Sequence, residues 1–350
     1  MDYSLKVTRH KESVLRALRS MQSKSESTLQ RAAPLLSFQS GMGMVTREDV
    51  QKLCQTNARL CQDLDDLTNR LKMQQNQLVG RLAEGVRAPR GVHVSSDSTI
   101  YLTSGDLAQV SVLNSSGHFL QSLECQSESQ LFLPEDVTLT RAGMVAVTDL
   151  AAGDVKVFNT HSKFGKGEWI SLGEFTSPRG VAVDCLGRLL VADYEPGKMH
   201  IFGLDPSFKL LSAHCVSGLP GPRYVCPGPD GGLVVSEECG DVKLYGPGSK
   251  LVLSFSEKYN HCFGNPAGVC FDTEGNVFVA DEQDRCIFLF PPSGPPLPVV
   301  TQGLKKPAGL ACCSRGQLFV ADTADDCVKV FRYRGKPRHG KGLASLNSNQ

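Results

Sequence analysis

Apolar residues recur along this chain with two different periods. Between residues 89 and 334 they form short runs, alternating or continuous, broken by Gly, Asp and Pro every eight to twelve positions. Each unit opens on a proline and an extended stretch: "PRGVHV" at 89, "PEDVTL" at 134, "PRGVAV" at 178, "PRYVCP" at 222, "PAGVCF" at 266 and "PAGLAC" at 307. The prolines stand 45, 44, 44, 44 and 41 residues apart. A second run follows, often ending in Asp, as in "GMVAVTD", "GRLLVAD", "GNVFVAD" and "GQLFVAD". After a short turn comes a third: "QVSVLN", "VKVFNT", "KMHIFG", "VKLYGP", "CIFLFP" or "CVKVFR". β-Branched and aromatic runs between turn residues predict antiparallel strands, with no helical periodicity in this region. A repeat of roughly 40–45 residues with three or four strands per unit predicts one propeller blade each, six in all.

Closing such a ring needs a fourth strand for the last unit. After Arg334 the chain reads "GKPRHGKGLASLNSNQ", which is polar and Gly-rich and forms no strand. The segment "QLVGRLAEGVRAP" at 77–89 resembles "LPVVTQGLKKP" at 297–307. Leu78–Ala83 is therefore expected to complete the last blade and remove an exposed edge. The propeller is expected to span 77–334, followed by a disordered basic tail over 335–350.

Upstream the period changes. Val50, Leu53, Asn57, Leu60, Leu64, Leu67 and Leu71 step alternately by three and four, the seam of a coiled coil over 46–76. "TRED" at 46–49 supplies an N-cap threonine. Asn57 at a seam position selects register in a parallel pair, so a homodimer is expected. An amphipathic helix over 1–32 and a Pro/Gly-containing connector over 33–45 precede it.

The pattern P-x-G-V-x-V-x-x-x-G-x-(apolar)-V-A-D, followed by a turn and a strand ending in Phe, resembles the NHL repeat. The units at 178, 266 and 307 match it well. Those at 89 and 222 depart from V-A-D, ending their second runs in "YLTSGD" and "VVSEEC". A coiled coil before an NHL propeller resembles the C-terminal part of the tripartite-motif (TRIM-NHL) proteins. That resemblance implies an antiparallel coil, and a propeller that grips either a protein or RNA. The RING and B-box of that family carry paired zinc ligands, and this chain has no C-x-x-C pair.

Composition refines this picture. Lys plus Arg against Asp plus Glu is 13 to 9 over residues 1–85, 21 to 27 over 86–334 and 3 to 0 over 335–350. The blades are acidic between two basic ends. No apolar run is long enough to span a bilayer and the N-terminus lacks a signal-type core, so a cytoplasmic protein is expected. The 13 cysteines have no metal or disulfide spacing and read as reduced core residues.

A carboxylate at a strand end before a tight turn accepts backbone N–H groups one to three residues ahead. Asp149, Asp193, Asp281 and Asp322 are assigned that structural role, and Glu237 a weaker one. A cation ring of such residues is unfavourable, since equivalent positions are spread around a ring while hard cations need converging oxygens. Among the first runs only His93 is a histidine, and His118, His161, His200, His214 and His261 share no register. No metal, no cofactor and no catalytic residue is assigned.

Binding is expected on the face carrying the loops before each first strand and between second and third strands. Its candidate cations are Arg90, Arg179, Arg223, Lys198, Arg285, Lys305 and Lys306. Carboxylates such as Asp106, Glu195, Glu282 and Asp325 stand beside them in sequence. The "PRG" arginines read equally as partners of turn carboxylates. Phosphate binding needs unopposed cations, so a protein or peptide partner is preferred to RNA. The expected function is a non-enzymatic scaffold, including a substrate receptor in ubiquitin-dependent pathways. An RNA-binding regulator is the second reading and a metal-dependent lyase or hydrolase the third.

Overall fold

The computed structural model describes residues 77–125, 131–159, 169–238 and 240–333, together with positions 55 and 59, both helical. The chain divides between Gln75 and Asn76, and the second unit carries the propeller. The expected helix over 1–32, the connector, the remaining coiled coil with its seam residues and the tail at 335–350 lie outside the described residues.

Among the described residues twenty-four strands form six four-stranded antiparallel sheets. Strand β1 is Gln77–Leu82. Blade 1 contains β2 to β5 (Pro89–Val94, Ile100–Ser104, Gln109–Leu113, Phe119–Leu123), and blade 2 contains β6 to β9 (Pro134–Leu139, Val145–Asp149, Asp154–Phe158, Trp169–Leu172). Blade 3 contains β10 to β13 (Pro178–Val183, Leu189–Asp193, Lys198–Leu204, Leu210–Ser217), and blade 4 β14 to β17 (Pro222–Pro227, Leu233–Glu237, Asp241–Tyr245, Leu251–Ser254). Blade 5 contains β18 to β21 (Pro266–Phe271, Val277–Asp281, Cys286–Phe290, Leu297–Val300). Blade 6 takes β22 to β24 (Pro307–Cys313, Gln317–Asp322, Cys327–Arg332) and adds β1 as its fourth strand.

Burial explains the sequence pattern. The second strand of each of blades 1 to 5 is buried at every residue, because both faces of its sheet are covered by neighbours. A strand covered on both faces reads as a continuous apolar run and not as an alternation. Fourth strands are the outer edge: β13 is exposed along nearly its whole length, including Leu210 and Leu211. Between blades, side chains form local cores such as the one joining Val234, Val242, Val269, Val279 and Phe290.

The ring closes where β1 pairs antiparallel with β24, Leu78 opposite Phe331 and Leu82 opposite Val328. The strand was expected at Leu78–Ala83 and runs one residue earlier at each end. Leu82 packs against a core shared by blades 6 and 1, which includes Ile100, Leu113 and Val328. Polar links reinforce the seam. Arg81 donates to the Asp325 carbonyl at 3.0 Å, the Ala88 amide to Asp326 Oδ1 at 2.9 Å and Thr323 Oγ1 to the Pro89 carbonyl at 2.7 Å.

A turn of α-helix interrupts the expected all-strand pattern in blade 4, and a shorter 3-10 turn, Thr323–Asp325, does so in blade 6. Helix α1, Phe255–Tyr259, follows β17, and Ser254 caps it by accepting from the Glu257 amide at 3.2 Å. Phe255 is buried there and packs on Phe290, 4.9 Å between ring centroids. A single turn is too short to leave a helical period in the sequence.

Every first strand carries an irregularity at the same place. The opening proline pairs with the last residue of the second strand, and regular pairing resumes three residues later, as in Pro178 with Asp193 and then Val181 with Val191. The same shift occurs in all six blades. Two residues thus occupy the space of one, which bends the strand and re-aims its side chains. The second of the pair is glycine in four blades, for a steric reason. A Cβ on Gly180 would stand 2.6 Å from Tyr224 Cα, and on Gly268 it would overlap the Ala308 carbonyl oxygen. The first strands approach one another around the axis too closely for a side chain.

Gly268→Ala forces backbone to move in two blades and is expected to cost about 2–3 kcal/mol in urea unfolding. Gly248→Ala, with nothing within 4 Å of its Cβ position, leaves the midpoint nearly unchanged.

Candidate functional site

The strand-end carboxylates accept from backbone amides, and two of them fasten two segments at once. Asp149 Oδ1 accepts from the Ala151 and Ala152 amides in the turn ahead, and also from Leu133, immediately before Pro134. Asp281 does the same with Gln283, Asp284, Gly264 and Asn265. Asp193 and Asp322 hold only the segment before the proline, through Thr176 and Ser177 and through Lys305 and Lys306. The sequence predicts these bonds in the turn alone. The commoner function is to lock the start of a blade's first strand to the end of its second.

A buried base completes several of these latches. Lys156 lies 2.7 Å from Asp154 and 3.5 Å from Asp149, and Lys329 lies 2.6 Å from Asp322 and 2.7 Å from Asp325. Lys243 reaches Glu237 at 2.8 Å, and His200 stands 3.6 Å from Asp193. Glu237 therefore takes a lysine where the aspartates take backbone amides, and burial pushes its carboxyl up. These lysines occupy the "VKV" and "VKL" of the third strands, a repeat the sequence displayed but to which no role was assigned. In blade 1 Ser104 replaces the acid and bonds Arg87 on both its amide and its carbonyl.

On the loop face the first bulge residue is Arg90, Glu135, Arg179, Arg223, Ala267 or Ala308. Glu135 is buried and accepts from both Arg90 and, at 3.0 Å, Arg179. Arg223 donates to Glu282 at 2.9 Å and to Asn265 at 3.0 Å, and Lys306 reaches Glu282 at 3.2 Å. Burial pushes the Glu282 carboxyl up, but Arg223 and Lys306 outweigh it and hold the group below its ordinary value. Lys305 pairs with Asp325, whose carboxyl Lys305 and Lys329 hold well below the usual range. Arg179 also lies over the Tyr194 ring, 5.3 Å from its centroid. Of the predicted cations, Lys198 and Arg285 make no ion pair among the described residues. The arginines are thus partners of carboxylates, although Glu135 is a strand residue and not one of the turn acids.

The second bulge residue forms a neck around the axis: Gly91, Asp136, Gly180, Tyr224, Gly268 and Gly309. Two blades depart from glycine, and their side chains occupy the space the others leave. Asp136 Oδ2 accepts from the Val181 amide at 3.0 Å, joining blade 2 to blade 3. Tyr224 reaches across the axis from blade 4 and donates from Oη to the Arg90 carbonyl of blade 1 at 3.3 Å. Its ring closes the neck on the loop side. Burial holds the phenol well above its ordinary value, so it remains a neutral donor.

Beneath the neck the first strands enclose a chamber of about 200 Å³, lined among others by His93, Cys226, Cys270 and Cys312. Burial lowers His93 to about 4 and raises Cys226 to about 12, so both are uncharged near neutrality. Among the described residues no group of three or more His, Cys, Asp or Glu side chains is arranged to hold a metal ion. The described cysteines are also more varied than expected: Cys270, Cys286 and Cys327 are buried, whereas Cys185, Cys215 and Cys262 are exposed.

The family model of the NHL repeat matches residues 175–202, which hold the first-strand bulge, strand-end Asp193 and most of the third strand of blade 3. NHL-repeat-containing protein 4 of Mus musculus is 48% identical over 103 residues, covering 29% of this chain and 76% of that protein. The chain belongs to the NHL-repeat family. Similarity extends to the E3 ubiquitin-protein ligase NHLRC1 of Homo sapiens, 30% identical over 49% of this chain and 47% of that protein. The E3 ubiquitin-protein ligase TRIM32 of Mus musculus is 24% identical over 62% of this chain and 37% of that protein. Among solved structures, the PQQ-bound aldose sugar dehydrogenase of Streptomyces coelicolor superposes with a TM-score of 0.54 at 15% identity, covering 74% of this chain and 98% of that one. The virginiamycin B lyase of Staphylococcus aureus gives 0.52 at 13% identity, covering 75% and 89%. These likenesses establish the propeller fold. Against the NHL pattern, Asp136 and Tyr224 are departures at one and the same position.

Asp136 gives this NHL propeller a pH dependence of its own. Burial raises its carboxyl from 3.8 to about 7. The folded state then keeps a proton that the unfolded chain releases, so this contribution is greatest below pH 4 and is lost as pH rises towards 7. Asp136→Asn, which retains an acceptor for Val181, is expected to remove a fall of up to about 4 kcal/mol over that interval. Urea unfolding of wild type and variant at pH 4, 5.5 and 7 measures the difference in slope.

Proposed function

We propose that the loop face of this propeller is a protein-binding surface, and that the chain is a scaffold presenting a partner to ubiquitin-dependent machinery. The observation that carries this reading is the pairing of the face's cations. Arg90 and Arg179 converge on Glu135, Arg223 and Lys306 on Glu282, and Lys305 on Asp325. A polyphosphate ligand gains by releasing counterions from unopposed Lys and Arg, and here the carboxylates have already taken that place. A mosaic of rigidly held charges instead favours a partner with a complementary mosaic, which fixes register and excludes wrong partners. The Tyr224 plug separates this face from the chamber beneath, in keeping with binding and not with turnover. Relatives that are E3 ubiquitin-protein ligases support the pathway. The heptad seam from Val50 to Leu71 supplies the second half of the proposal, a pair of chains offering two faces.

Proximity labelling with the full chain should recover protein partners that Arg223→Gln with Lys306→Gln loses at least tenfold. Lys198→Glu with Arg285→Glu disturbs no ion pair among the described residues and should weaken capture too, with an unchanged melting temperature. Crosslinking to RNA in cells stays at background for all three proteins. A strong RNA signal abolished by either double variant would reverse the assignment.

Self-association has its own measurement. Light scattering should give a dimer for wild type and a monomer for Leu60→Glu with Leu64→Glu, and a monomer in both cases refutes it.

A further inference from the structure

The glycine neck that brings the first strands together also sets thiols of two blades against each other. Gly268 of β18 lies against the backbone of Ala308, Gly309 and Leu310 in β22. Two and three residues further on, Cys270 and Cys312 meet with their sulfur atoms 3.2 Å apart, closer than ordinary van der Waals contact. Cys226 lines the same chamber but donates to the Pro227 carbonyl on its own strand at 3.6 Å, and Cys313 donates to Gln317 Oε1 at 3.6 Å. We propose that Cys270 and Cys312 are an oxidisable dithiol, converted by a peroxide into a disulfide that staples blade 5 to blade 6 at the axis.

Geometry and access both favour this pair. A disulfide needs the sulfurs to close by about 1.2 Å, a movement of side chains between strands already in contact. Cys312 is half-buried and borders the chamber, whose volume of about 200 Å³ admits a molecule the size of hydrogen peroxide. Cys270 is buried, and burial holds its thiol well above the ordinary value. Cys312 is accordingly the sulfur that meets the oxidant, and Cys270 the one that resolves the product. In the first step Cys312 Sγ attacks a peroxide oxygen, the O–O bond breaks and one water leaves, giving a sulfenic acid. In the second, Cys270 Sγ attacks Cys312 Sγ, the S–O bond breaks and the hydroxyl leaves as water with the Cys270 proton. Two thiols and one hydrogen peroxide become one disulfide and two waters, the sulfurs losing the two electrons that the peroxide gains.

The staple adds a covalent link at the axis between blade 5 and blade 6, the blade whose outer strand β1 is held only by its pairing with β24. Linking residues 42 apart constrains the opened chain and leaves the closed ring nearly as it is.

The full-length protein is treated with hydrogen peroxide under native conditions, alkylated and digested with trypsin. The expected product is one cross-linked peptide, two hydrogens lighter, joining the fragments that hold Cys270 and Cys312. It should persist in Cys262→Ser and Cys313→Ser, which alter the other cysteine of each fragment. It should vanish in Cys270→Ser and Cys312→Ser. In Cys270→Ser a dimedone adduct should appear on Cys312. The oxidised wild type should melt several degrees above the reduced form, and dithiothreitol should reverse this. A folded wild type that yields no such peptide overturns the proposal, as does a link that survives Cys312→Ser or a thiol that proceeds only to sulfonic acid.

Discussion

Six first strands must meet around one axis, and at four of their bulges the neighbouring backbone leaves no room for a Cβ. Most of what distinguishes this propeller follows from that constraint. The bulge after each proline lets the strand bend inward, and glycine at its second residue lets neighbouring backbones touch. The first residue of the same bulge is thereby turned onto the loop face, where Arg90, Glu135, Arg179 and Arg223 meet. Where glycine is replaced, the side chain must lie in the axis itself. Tyr224 closes the channel and Asp136 becomes a buried acid for the same steric reason.

The latches preserve that arrangement. Each of the four strand-end aspartates binds backbone amides at the entry of the first strand. Lys156 and Lys329 are almost wholly buried, and two carboxylates surround each of them. Burying such a pair adds little net stability over an apolar core. Its contribution is specificity, since a blade entering out of register would leave charge unpaired in the interior.

The neck divides the axial space into two chemically different parts. Above it lie charged groups held in fixed pairs, suited to recognition. Below it lie neutral histidine and thiols in a chamber with little charge. The recognition proposed on one side and the thiol oxidation proposed on the other need share no ligand.

The 44-residue spacing of prolines determined the blade count, because a repeat that cannot cover its own apolar faces has to stack. The family, the strand-end acids and the face that collects the arginines could be read from the same period. Even the departures "PED" and "PRY" stood in the sequence at the glycine position. What they do was decided only by the tertiary structure. Tyr224 bonds a carbonyl 134 residues away, Cys270 meets a sulfur 42 residues away, and Glu135 is shared by arginines on either side. Local periodicity reports which residues a strand buries, a property of one blade. Which buried group meets which depends on distances across a closed ring, and only closing it fixes them.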